Sequence, residues 1–140
     1  MEYLGAEPLP STHGRSLVPL LHASARTHRD LIFTEYLENE EAAVRTSRWK
    51  FIFCTGRRER QDGYKTDRPT PGRYKRLYDL QTDPGEFTDL SGRKEYAGFL
   101  DQLQQAMLER FRETHPEAAA LPRGLKVEEQ IEWFLRPRDV

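Results

Sequence analysis

Cysteine is nearly absent: Cys54 is the only one in 140 residues, so no intrachain disulfide can form and no cysteine-rich zinc site can be built. Histidine is scarce too. The four, His13, His22, His28 and His115, show no His-Glu-x-x-His or His-x-His spacing, so they read as solvated polar residues and a zinc site has no support. No apolar run approaches the roughly eighteen residues of a membrane span, and Met1-Glu2-Tyr3-Leu4-Gly5 lacks the basic-then-apolar order of a signal peptide. A soluble chain is expected. Charge of one sign is missing as well: 22 Lys and Arg against 23 Asp and Glu leave a net charge of -1, which argues against a general nucleic-acid or membrane binder. No glycine-rich phosphate loop follows a strand pattern. The Gly14-Arg15-Ser16-Leu17-Val18 stretch lacks both the second glycine and the preceding strand of a nucleophile elbow.

The chain is 36% hydrophobic and 32% charged, with nine glycines and nine prolines, which reads as one loop-rich folded domain. Met1 to Arg29 is broken by Pro8, Pro10, Ser11, Thr12 and Gly14 and reads as a connecting strap, with only "SLVPLL" (Ser16 to Leu21) apolar enough to pack. From Asp30 the pattern turns to strands. "DLIFTEYL" is rich in β-branched and aromatic residues, and "AAVRTSRWKFIFC" divides at Thr46-Ser47-Arg48 into two strands. Glu35 and Arg45, if opposite each other on the first two strands, form a charge pair worth a few tenths of a kcal/mol, up to about 1. A further strand, "YKRLYDL" (Tyr74 to Leu80), alternates Tyr74, Arg76, Tyr78 and Leu80 on one face with Lys75, Leu77 and Asp79 on the other. It stops at the turn Thr82-Asp83-Pro84-Gly85.

Helical spacing follows, with Asp89 or Ser91 as the expected N-cap. Tyr96, Leu100, Leu103, Met107 and Phe111 recur every three or four residues, with Gln102, Gln105, Glu109 and Arg112 on the other side. This predicts a helix of about five turns, stopped by Pro116. After Pro122 and Gly124, Val127, Ile131, Phe134 and Leu135 share one stripe of a shorter helix ending before Pro137. The predicted fold class is α+β: a small four-stranded antiparallel sheet packed against a long C-terminal amphipathic helix, with a second short helix.

Two stretches bear on chemistry. "FCTGRRER" places Cys54 near Arg57 and Arg58, cations that favour a thiolate, although the cysteine also ends a strand and reads there as an ordinary strand residue. The long excursion from Thr55 to Lys75 is rich in Gly, Pro and charge. Its cations Arg57, Arg58, Arg60, Lys65 and Arg73 are the candidate anion-binding residues, with Tyr64 and Tyr74 available for stacking; the plainer reading is a solvated loop. Asp79, Asp83, Glu86 and Asp89 crowd one turn, but their spacing does not match a twelve-residue calcium loop. No catalytic residue and no metal ligand is assigned in this chain.

Three segments in order, "GRSLVPLL", "RDLIFTEYLENEEAAVRTSRWKFIF" and "RLYDLQTDPGEFTDLSG", resemble the carboxyl-terminal part of the sulfatases of the arylsulfatase type. The similarity runs from about Tyr3 to Phe111. It includes an Arg-Thr-x-x-x-Lys hairpin (Arg45, Thr46, Lys50) and a Leu-Tyr-Asp-Leu-x-x-Asp-Pro-x-Glu strand and turn (Leu77 to Leu80, Asp83, Pro84, Glu86). The resemblance implies that residues 1–29 are a linker left from the end of a catalytic domain and that 30–140 form the sulfatase C-terminal subdomain. It further implies a non-catalytic role here, completing the fold and one wall of the substrate cleft. The alternative is a freestanding module whose basic loop, 55–76, holds an anionic polymer such as a sulfated glycan.

In the family, a calcium ion and a formylglycine made from the Cys of a Cys-x-Pro/Ala-x-Arg motif belong to the large amino-terminal domain. Cys54-Thr55-Gly56-Arg57-Arg58 has the arginine at the right spacing, but Gly56 stands where Pro or Ala is expected. The implied partner is therefore a sulfatase catalytic domain missing from this chain, and the face that meets it, with "SLVPLL" and part of the sheet, is expected to favour self-association. Membrane and nucleic acid are not expected partners, and substrate and compartment are not readable from these residues.

Overall fold

Alternating apolar residues in "AAVRT" and "WKFIFC" need a pleated surface with one dry side. The computed structural model supplies it; it describes Gly5 and residues 13–36, 40–56 and 73–136. The chain divides into two compact units, Met1–Asp30 and Leu31–Val140.

In the first unit the apolar stretch forms one helical turn, α1 (Val18–Leu21), where the strap reading had assigned no helix. Pro19 sits in that turn, at a position whose N–H has no intrahelical partner to lose. Leu17 and Leu21 are exposed. Arg29 donates to the His13 carbonyl at 2.7 Å, and His28 Nε2 bonds the Arg15 carbonyl at 3.2 Å, which ties residues 13–15 to residues 28–29.

The second unit is the predicted α+β fold. Its four strands, β1 (Ile32–Tyr36), β2 (Glu41–Arg45), β3 (Trp49–Cys54) and β4 (Tyr74–Asp79), pair antiparallel in sequence order. The register builds rows across the sheet. Phe33, Val44, Phe51 and Leu77 form one row of the inner face, and Glu35, Ala42, Phe53 and Lys75 the next. The outer face carries the rows Ile32, Arg45, Lys50, Tyr78; Thr34, Ala43, Ile52, Arg76; and Tyr36, Glu41, Cys54, Tyr74.

This register corrects the expected Glu35–Arg45 pair: Glu35 lies opposite Ala42 and Arg45 opposite Ile32, so the two point to opposite faces. The dry side decides it. Placing Glu35 against Arg45 would slip the strands by an odd number of residues and turn Phe33 away from Val44 and out of the core.

A single 3-10 turn, Lys94–Tyr96, leads into α2 (Ala97–Thr114), which lays Leu100, Leu103, Met107, Leu108 and Phe111 on the inner face. The helix starts later than Asp89 and Ser91, and neither caps it. Asp89 Oδ1 instead accepts the N–H groups of Leu77 (3.1 Å) and Ser91 (2.9 Å), and Ser91 Oγ donates to the Lys75 carbonyl, so both residues bind the departing chain to β4. Pro116 does end the helix, with the His115 N–H closing on the Phe111 carbonyl at 2.8 Å. The shorter helix, α3 (Val127–Leu135), buries Ile131, Phe134 and Leu135, and the Glu129 carboxylate takes the Lys126 N–H at 2.7 Å to satisfy its start. Phe111 and Phe134 stack at 5.3 Å and join α2 to α3.

Candidate functional site

Some of the candidates for chemistry fall on described residues. Cys54 is fully buried at the end of β3, and Gly56 donates its N–H to the sulfur at 3.4 Å. Gly56 adopts φ +72°, which a proline ring locked near -65° cannot reach, so the Cys-x-Pro-x-Arg geometry is closed to this stretch. The four crowded carboxylates are all occupied. Asp79 takes Arg48, Asp83 Oδ2 takes the Thr88 N–H at 2.7 Å, Glu86 takes Lys50, and Asp89 takes two backbone N–H groups. Among the described residues no group of three or more His, Cys, Asp or Glu side chains could hold a metal ion, so they do not fit the family's calcium site.

Of the anion-binding candidates, Arg57, Arg58, Arg60 and Lys65 lie outside the described residues. Arg73 is described, and it faces acids: it pairs with Glu128 at 3.3 Å and with Glu132, while Lys75 pairs with Glu128 at 2.5 Å. These contacts clasp the start of β4 to α3. The sequence reading missed Glu128 and Glu132, yet their i, i+4 spacing marks one side of a helical turn and could have flagged an acidic stripe.

The residues that carry the family resemblance form a lock. Thr46 Oγ1 accepts the N–H groups of Arg48 (3.1 Å) and Trp49 (2.7 Å) and so shapes the β2–β3 turn. Arg48, which the motif reading passed over, forks onto Asp79 with Nε at 3.1 Å from both carboxylate oxygens and Nη2 at 2.8 Å from Oδ2. That fork is the first cause that holds the Asp79 carboxyl below its ordinary value and the Arg48 guanidinium above its own. The Arg48 guanidinium also lies over the Trp49 ring at 4.8 Å, and Trp49 stacks on Phe99 at 4.7 Å. Lys50 reaches Glu86 at 2.6 Å, fastening the turn after β4 to the outer face.

Among the described residues, the core side chains of the helices pack with the inner face and not with this outer one. It mixes exposed Ile32 and Tyr36, half-buried Ala43 and Ile52, and the cations Arg45, Lys50 and Arg76. Tyr74 donates to the Glu41 carboxylate at its edge. Burial first, and that carboxylate second, hold the phenol above its ordinary range.

The family model for the C-terminal region of aryl-sulfatase matches residues 26–133. Solved structures share the fold. One, a structure of BT4656 in complex with its substrate D-glucosamine-2-N,6-O-disulfate, is 23% identical with a TM-score of 0.60, over 81% of this chain and 22% of that one. A second, BT1596, described as a 2-O GAG sulfatase, is 18% identical with a TM-score of 0.60, over 86% and 24%. A third, from work on glycosaminoglycan metabolism by Bacteroides thetaiotaomicron, is 23% identical with a TM-score of 0.52, over 74% and 21%. The chain thus spans less than a quarter of the length of these structures. A search of curated proteins returned no match. With the matched motifs interlocked across β3 and β4 as described, the chain belongs to the family of aryl-sulfatase C-terminal regions.

Proposed function

We propose that this chain serves as the non-catalytic part of a sulfatase, completing its fold and walling one side of its substrate cleft. The observation that carries the reading is proportion: the matched fold occupies 21 to 24% of structures that are several times longer. A subdomain of this kind contributes surface. Its inner face is filled by α2 and α3, which leaves the outer sheet face, with its exposed Ile32 and Tyr36, to meet the catalytic domain. In this reading calcium and formylglycine belong to that domain, and this chain's residues shape and close the cleft beside them.

Two of the matched proteins are described with a sulfated glucosamine and as a glycosaminoglycan sulfatase, which makes sulfated sugars the first substrate class to try. The test is co-expression of this chain with the polypeptide encoded immediately upstream of it. A soluble complex of the two supports the reading. An upstream frame with no Cys-x-Pro/Ala-x-Arg domain, or one that stays unbound, contradicts it.

A further inference from the structure

Thr46 and the charged side chains of the two matched motifs bond to one another or to their own turns, with one exception. Thr46 caps its turn, Lys50 holds Glu86, Asp79 holds Arg48 and Asp83 holds the Thr88 N–H. Arg45, the first residue of the same hairpin motif, has an exposed side chain with no hydrogen bond or ion pair among the described residues. The register sets it on the outer face in a row with Ile32 and Lys50, beside the row Thr34, Ala43, Ile52 and Arg76.

Among the described residues this face carries the cations Arg45, Lys50 and Arg76 against the carboxylates Glu41, which takes the Tyr74 hydroxyl, and Glu86, which pairs with Lys50, so positive charge is in excess. Arg76 lies over the Tyr74 ring at 4.7 Å, which leaves Arg45 as the guanidinium that projects from the face. Ile32 beside it is 55% exposed. An arginine whose stem borders apolar surface and whose fork is free matches the make-up of an interface anchor: the stem packs, and the planar head takes a carboxylate at two points.

We infer that Arg45 is the docking anchor of the outer sheet face, taking a carboxylate of the sulfatase catalytic domain while Ile32 and Ile52 are covered around it. This rests on the function proposed above.

The test titrates the polypeptide encoded immediately upstream into this chain by calorimetry. The variants are Arg45→Met, Arg45→Lys and Ile32→Asp, with Arg93→Met as a control cation from the turn before α2. Arg45→Met and Ile32→Asp each weaken binding about tenfold or more. Arg45→Lys recovers part of the loss, and Arg93→Met changes nothing. The isolated Arg45→Met chain melts within about 2 °C of the parent, since no internal partner is lost.

Equal affinity for Arg45→Met and the parent overturns the anchor and leaves the proposed function standing. Failure of the parent chain to bind overturns both. A larger drop in the melting temperature of isolated Arg45→Met shows an internal role and overturns the anchor, as does a dimer of the isolated chain that Arg45→Met dissociates.

Discussion

Lys50 on β3 and Glu86 in the turn after β4 meet at 2.6 Å, thirty-six residues apart in the chain, and join the hairpin motif to the strand-and-turn motif. Glu86 holds a left-handed backbone, φ +59°, that costs a non-glycine residue about 1 kcal/mol, so the ion pair works against local strain. Lys50→Met and Glu86→Gln should each lower stability by about 1 kcal/mol, roughly 4 °C in Tm. In a urea-melt double-mutant cycle the pair should cost less than the sum of the two; strict additivity would refute the coupling.

The acid limb of stability follows from Asp79. Its folded carboxyl titrates below the unfolded value of about 3.9, so the stabilisation is complete above that value and is lost as pH falls through the lower, folded one. Asp79→Asn should therefore lower the urea midpoint at pH 6 and flatten its decline between about pH 4 and 2. An acid limb unchanged in the variant would contradict this.

The alkaline limb has the opposite sign. Tyr74 is held above its ordinary value, so the folded state keeps a proton that the unfolded chain releases near pH 10. The stabilisation is full below about pH 10 and is lost as pH rises toward the folded value. Tyr74→Phe should make stability flatter between about pH 9 and 11 than in the parent, where a parallel fall in both would sink the assignment.

The sheet and its helices were legible because β2 and β3 each have one dry side and α2 a sustained apolar stripe. Phe51, Phe53, Met107 and Phe111 announce their burial by spacing alone. Pairing was not legible in the same way. Glu35 and Arg45 looked complementary as charges, but register answers to Phe33 and Val44, whose burial outweighs a surface charge pair worth a few tenths of a kcal/mol. The caps failed for a related reason: Asp89 and Ser91 are good helix-start residues, yet the edge of β4 offers them N–H and carbonyl groups first. Arg73 was singled out for its charge, and its acidic partners lie more than fifty residues away on α3, beyond any local reading.

The contact between Phe111 and Phe134 predicts where the fold is least tolerant. Phe134 is fully buried, and Phe134→Ala should cost about 3–5 kcal/mol in urea unfolding, which releases α3 from α2. A loss under about 1 kcal/mol would mean that α3 contributes little to the core.

Sulfate release tests the central claim most directly. This chain, the upstream-encoded polypeptide and their mixture are each incubated with nitrophenyl sulfate and with D-glucosamine-2-N,6-O-disulfate, the sugar bound in one of the matched structures. The account predicts no turnover by this chain alone, and turnover by the mixture that exceeds that of the upstream polypeptide and is unchanged by Cys54→Ala. Turnover by this chain alone, or a mixture no more active than its upstream component, would contradict it.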